Sequence, residues 1–251
     1  MVMGTRLECI ITGAPQSTSE PLWNKLSEIA VRLDSKLNRF DPDSEVGMLN
    51  ASCPVAGKEL SEDLAALLEE SRRWWELTDG LFDVCKGGME DLSLTYSRNG
   101  KPFASIPAGG LDFGGIAKGW FLKICRDAMR DEGVENAFVN FGGSAILALG
   151  GQPGAGSWKV NVTSPYDGIP VCEVTLRDMA LSTSGNSPGY TGHVINPKTG
   201  KAVEEKILTV VVCEDPLEAE VLSTTLMMAD GQERSTLKKR FPDSEFGIYE
   251  M

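Results

Sequence analysis

LDFGGIAKGW, residues 111–120, sets an aspartate, two adjacent glycines and a lysine between an apolar, strand-like residue and a helical run. Bare backbone at a helix start is a natural seat for a phosphate, because unpaired N–H groups and the positive end of the dipole both face outward there. Lys118 adds a movable positive charge. The stretch is not the phosphate loop of nucleotide hydrolases. Gly110 and Gly115 have that loop's separation, but Ile116 follows where Lys and then Ser or Thr are required. It asks for a phosphate ligand without naming one.

Working outward, the helical pattern runs from Ile116 to Glu132, with Trp120, Phe121, Ile124, Ala128 and Met129 facing inward and Gly133 stopping it. Upstream, RLECIITG (6–13) alternates as a strand. Leu22, Leu26, Ile29, Ala30, Leu33 and Leu37 then recur at helical spacing, predicting an amphipathic helix from about 20 to 38. Ser61 opens another helix, with Glu62 and Asp63 in its first turn and Gly80 at its end. Residues 84–110 carry KGG, RNGKP and PAGG, show no period and read as irregular.

Downstream come short strands: NAFVNF (136–141), SAILAL (144–149), WKVNVTS (158–164), VCEVTL (171–176) and MALSTS (179–184). ILTVVVC (207–213) is a continuous apolar run and predicts a buried strand. PLEAEVLSTTLMMADG (216–231) predicts a helix, with Pro216 near its start and Gly231 at its end. Helices and strands interleave without regular βαβ alternation, so the class is α+β. The whole span 1–251 reads as one domain.

The formal net charge of −12 argues against a nucleic-acid groove or an anionic membrane surface, both of which need basic patches. An anionic ligand must then be held by local dipoles, a lysine or a metal ion. No apolar run approaches the ~20 residues of a spanning helix, and the N-terminus lacks the pattern of a secretory signal. Six cysteines, at 9, 53, 85, 125, 172 and 213, form no CxxC pair. They read as free thiols of a reducing cytoplasm.

Three features could carry chemistry. His193 is the only histidine, in GYTGHVINPKTG, just after the small polar STSGNSPG; its residue type leaves a packing role and a functional role both open. Glu220 and Thr224 share a helical face. A carboxylate with a hydroxyl suits a hard cation such as magnesium, and an exposed Glu with a capping Thr would also explain the pair. The third is the glycine stretch itself.

Taken in order, these motifs resemble the ApbE family, the FAD:protein FMN transferases. The resemblance starts at MGT (3–5) and passes through LNRFDPDSEVGMLN (37–50) and GLFDV (80–84). LDFGGIAKGW is similar to that family's LDLGGIAKGY signature. FVNFGGSAILALGG, WKVNVTSP, STSGN with GHVINPKTG, and AEVLSTTL follow colinearly. The fold implied is a T-fold-like α+β architecture of two closely packed lobes with the flavin site between them.

What the resemblance implies is specific. Met3, Phe40, Leu81, Phe82, Asp83, Asp112, Lys118 and Ile195 would line the FAD site, with Ser184 and His193 near the phosphates. The Gly115 carbonyl, Glu220, Ser223 and Thr224 would hold magnesium (Mg2+). The reaction implied is attack by a threonine hydroxyl of an acceptor protein on the FMN phosphorus, with AMP leaving and His193 suited as the base. FAD hydrolysis to FMN and AMP, or FAD binding without catalysis, are the competing outcomes. Three departures accompany the resemblance. Glu220 stands where the family usually has aspartate, the segment between Asp83 and Asp112 is short, and the export apparatus of typical lipoprotein members is not visible.

Overall fold

The computed structural model describes residues 2–251. In chain order its elements are β1 (Leu7–Thr12), α1 (Gln16–Leu37), α2 (Glu45–Ser52), β2 (Val55–Glu59), α3 (Glu62–Leu77), β3 (Ser93–Tyr96), β4 (Pro102–Ile106) and α4 (Ala117–Asp131). Then follow β5 (Asn136–Phe141), β6 (Ala145–Leu149), β7 (Trp158–Thr163), β8 (Pro170–Leu176), β9 (Met179–Gly185), β10 (Ile207–Cys213), α5 (Pro216–Met228), α6 (Gly231–Arg240) and β11 (Glu245–Glu250).

Six strands form the main sheet in the order β1-β5-β6-β9-β10-β11, with every neighbouring pair antiparallel. Its centre shows why AILAL (145–149) is apolar throughout. Ala145, Leu147 and Leu149 turn to a core shared with the helices, while Ile146 and Ala148 turn to a second core on the other face. The period of two is present, but both faces are covered, so no polar residue marks it. The second core is roofed by the β7–β8 ribbon. There the Trp158 indole donates to the Leu149 carbonyl at 3.0 Å. On the helix side, α4 and α5 pack directly against the sheet and each other. A smaller sheet, β2-β4-β3, lies against α3.

The expected elements around 6–13, 116–132, 136–184 and 207–228 are all present. Three readings are corrected, and α2 and β11 stand where no element is expected. The segment 84–110 contains β3 and β4, which pair antiparallel. Its alternation is real in β4, where Pro102, Ala104 and Ile106 are buried, but the buried residues include Pro and Ala, which carry little signal. α1 begins at Gln16, one turn ahead of Pro21, which sits inside the helix near its start. α2 was not read; Ser44 caps it by accepting from Gly47 N at 2.9 Å. Gly47 lowers the helical propensity, yet a Cβ there would stand 2.0 Å from the Asp41 carbonyl oxygen. Finally, Gly231 does not end α5 but opens α6, where Asp230 and Glu233 form a capping box.

Candidate functional site

The glycine stretch is held from two sides. Leu111 bridges to Cys85, Asp112 N donates to the Val84 carbonyl at 2.8 Å and Lys86 N to the Gly110 carbonyl at 2.9 Å. Asn50 of α2 grips Leu111 with both ends of its amide: Nδ2 donates to the carbonyl at 2.8 Å, and Oδ1 accepts from N at 2.7 Å. Gly110 has φ of +74°, and a Cβ on it would stand 2.3 Å from Asn50 Oδ1. Glycine is needed there for both reasons. Asp112 turns back on its own loop, Oδ1 accepting from Gly114 N at 3.1 Å. Its Oδ2 meets Arg39 Nε at 2.9 Å and Lys86 Nζ at 3.7 Å.

From this loop α4 runs against α5. A Cβ on Gly115 would lie 3.1 Å from Thr224 Oγ1 and 3.2 Å from the Phe82 ring, so the glycine backbone sits beside the threonine hydroxyl. One turn deeper, Lys118 Nζ binds Glu220 Oε1. Glu220 is only 3% exposed, and its Oε2 accepts from Ser182 Oγ at 2.8 Å. Hydroxyls extend the network: Ser182 to Ser223 at 3.0 Å, Ser184 to Ser223 at 2.9 Å and Ser184 to Thr224 at 3.2 Å. Ser223 Oγ also donates to the Glu220 carbonyl at 3.0 Å. Ser182 and Ser184 are two apart on β9 and so share its face. An ionised carboxylate only accepts, which sends the Ser182 proton to Glu220.

His193 is half-buried, stacks on Tyr190 with ring centroids 4.2 Å apart, and leaves its buried Nδ1 without a partner. Burial lowers its pKa from the ordinary value, against opposing effects of the Tyr190 backbone carbonyl and the Asp112 charge.

The structure brings Gly115, Lys118, Ser184, Glu220, Ser223 and Thr224 together. Asp83 stands apart in role: its oxygens accept from Cys85 N at 2.7 Å and Met89 N at 3.0 Å, while burial pushes its pKa up. Leu81 and Phe82 are buried, and Phe82 supports Gly115 from beneath. Phe40 is 73% exposed and Ile195 55%. The Arg39 guanidinium sits 4.1 Å above the Phe40 ring, which joins Phe40 to Asp112. Met3 lies in a turn closed by Val2 and Thr5, with φ of +48° beside Gly4 at +71°. Thr5 of that turn fills the space a Cβ on Gly142 would need, at 2.6 Å. Asn50, Arg39 and Ser182 were missed in the sequence. The Ser182–Ser184 spacing was the available signal for Ser182, and Arg39 and Asn50 lie in the quoted stretch 37–50.

The donors around Glu220 are all oxygen, one carboxylate with the Ser184 and Thr224 hydroxyls and the Gly115 backbone beside them. Among the described residues no three His, Cys, Asp or Glu side chains gather as a metal site. The set fits a hard cation such as magnesium in chemical type. Ser223 is fully buried, its oxygen in contact with Ser182, Ser184 and the Glu220 carbonyl.

Comparison with known proteins bears on the family and the fold. An FAD:protein FMN transferase of Vibrio cholerae is 24% identical over 256 residues, covering 86% of this chain and 75% of that protein. One from Rhodobacter capsulatus is 27% identical, and its match covers 91% of this chain and half of that protein's length. The ApbE protein of Thermotoga maritima has the same fold, with a TM-score of 0.82 at 21% identity over 100% of this chain and 94% of that one. The ApbE family model matches residues 3–108 and 88–246, almost the full length, and the chain belongs to the ApbE family.

Proposed function

We propose that this chain transfers the FMN moiety of FAD to a threonine hydroxyl of an acceptor protein, releasing AMP, and that it requires magnesium. The observation that carries this reading is the buried Glu220 carboxylate among Ser184, Thr224 and Gly115, at the foot of a glycine loop that opens a helix. Relatives bearing the name FAD:protein FMN transferase support it at 24% and 27% identity.

Each residue has a distinct task. The positive end of the α4 dipole would favour the pyrophosphate beside this loop, with Gly114 N–H already held by Asp112 Oδ1 and the Ile116 and Ala117 N–H groups by the Phe113 carbonyl. Glu220, Thr224, Ser184 and the Gly115 carbonyl would hold magnesium, which when bound neutralises pyrophosphate charge and favours in-line displacement. His193 takes the proton of the attacking threonine, since burial favours its neutral form. The oxygen–phosphorus bond to FMN forms as the pyrophosphate bond breaks, and AMP leaves with the bridging oxygen. Phe40 and Ile195 are exposed and would meet the flavin or the acceptor. We place the protein in a reducing compartment, the cytoplasm, because its six thiols are free.

The test is incubation with FAD and magnesium, with and without a threonine-containing acceptor peptide, assaying AMP and flavinylated peptide. Acceptor-dependent formation of both supports transfer. AMP without acceptor would mark a hydrolase, and no AMP at any magnesium level a flavin-binding protein.

A further inference from the structure

Glu220 already has a cation. Its Oε1 is taken by the Lys118 ammonium and its Oε2 accepts from Ser182, so a metal ion would have to share an oxygen with one of them. A magnesium ligand stands at about 2.0–2.1 Å from the ion, and an ammonium on the same oxygen would face a dication at close range. The two cations therefore compete for that oxygen. Removing the ammonium without replacement would leave a buried charge unpaired, which is strongly unfavourable.

We propose that Lys118 is the resident counter-ion of Glu220 and that a divalent cation displaces it, freeing the ammonium for the FAD pyrophosphate. This deepens the magnesium-dependent reading above and rests on it. The two partners differ in freedom as the exchange requires. The Glu220 side chain is 4% exposed and the Lys118 side chain 19%. Glu220 stays fixed by Ser182, while the lysine carries its charge on a flexible four-carbon stem. Lys118 is the second residue of α4. An ammonium that leaves Glu220 therefore remains on the helical turn that faces a phosphate. Metal binding and FAD binding then strengthen one another, reciprocally.

The test uses Mn2+ as the probe, followed by electron paramagnetic resonance without FAD, on the full chain and on Lys118→Gln and Glu220→Gln. Glutamine at 118 keeps a donor for the carboxylate, and thermal melting checks that each variant folds. Lys118→Gln should bind Mn2+ about tenfold tighter or more, because the competing charge is gone. FAD affinity, read by flavin fluorescence, should fall in Lys118→Gln only when magnesium is present. Mn2+ affinity unchanged or weaker in Lys118→Gln, with binding lost in Glu220→Gln, overturns the exchange and leaves the metal reading intact. An equal loss of FAD affinity with and without magnesium also overturns it. Mn2+ binding indifferent to Glu220→Gln sinks the metal reading itself, and the exchange with it.

Discussion

Gly119 of α4 lies directly against Glu220 of α5: a Cβ placed on the glycine would stand 2.6 Å from the Glu220 Cβ. The same atom would be 2.7 Å from the Pro216 carbonyl oxygen and 3.0 Å from the Leu217 Cα, so backbone as well as side chain blocks it. The glycine after Lys118 is what lets the helices approach closely enough for the ion pair to form. Gly119→Ala should therefore cost about 1–3 kcal/mol of stability by overpacking. The loss is to be read by denaturant titration, with weaker Mn2+ binding alongside. A stability unchanged within error would show that the helices separate at no cost and that this contact does not set the site.

His193 predicts a pH dependence with a definite sign. Burial lowers its pKa below the ordinary value, so the folded protein favours neutral imidazole. That preference contributes stability above the ordinary pKa, about 6.5, which is lost as pH falls through the lowered folded value. A reaction that uses the neutral imidazole should follow the same direction. The kcat/KM profile for AMP release should be flat near neutrality and fall only below about pH 6.5. His193→Gln should remove that acid limb and slow the reaction by about 100- to 10,000-fold. A limb that persists in the variant would assign the proton to another group.

Asn50 is the clamp on the glycine loop, and Asn50→Ala leaves both the Leu111 N–H and C=O without it. The expected cost is about 1–3 kcal/mol. Because Gly110 and Leu111 lead straight into Asp112, FAD affinity should fall as well. If melting temperature drops while FAD affinity holds, Asn50 supports the fold without shaping the ligand site.

How much of this was legible depended on whether the signal was local. Five strands of the main sheet and the two long helices of the site could be read from period, apolar runs and end residues, β6 and β10 as runs because both their faces are buried; β11, half-buried and without an apolar run, carried no such signal. The hairpin of β3 and β4 escaped, since its buried face is built from Pro102, Ala104 and Ile106 rather than a run of large apolar residues. Within the site, the pairing of Glu220 with Thr224 followed from helical spacing, and Ser184 only from the resemblance. The bond from Lys118 to Glu220 joins residues 102 apart in the chain, and only the crossing of α4 on α5 brings them together. Asn50 reaches across 61 residues to Leu111. Such contacts leave no mark on local pattern, and Gly119 reads as a mere weak helix former until the facing helix is in place.

The thiols should be dispensable. Burial pushes Cys9 up to about 12 and Cys85 up to about 11, and raises Cys125 and Cys213 as well. The reactive thiolate is therefore scarce at neutral pH. Brief treatment with iodoacetamide at pH 7 should leave AMP release unchanged. Inactivation that tracks alkylation of one cysteine would place that residue in the reaction after all.

Glu220 gives the sharpest prediction. Its carboxylate is the one buried negative charge within the hydroxyl cluster, and a metal held there acts on charge that develops in the transition state. Losing the charge should therefore reduce turnover more than flavin binding. Glu220→Gln keeps the shape and the acceptor oxygen for Ser182, so the fold should survive. FAD should still bind by fluorescence titration while AMP release falls by two orders of magnitude or more, about 2.7 kcal/mol in the barrier at the least. Glu220→Asp keeps the charge on a shorter arm and should hold activity within about tenfold at saturating magnesium. If Glu220→Gln turns over like the wild type, the carboxylate holds no catalytic metal, and its partners Lys118 and Ser182 form only a buried link between α4, α5 and β9.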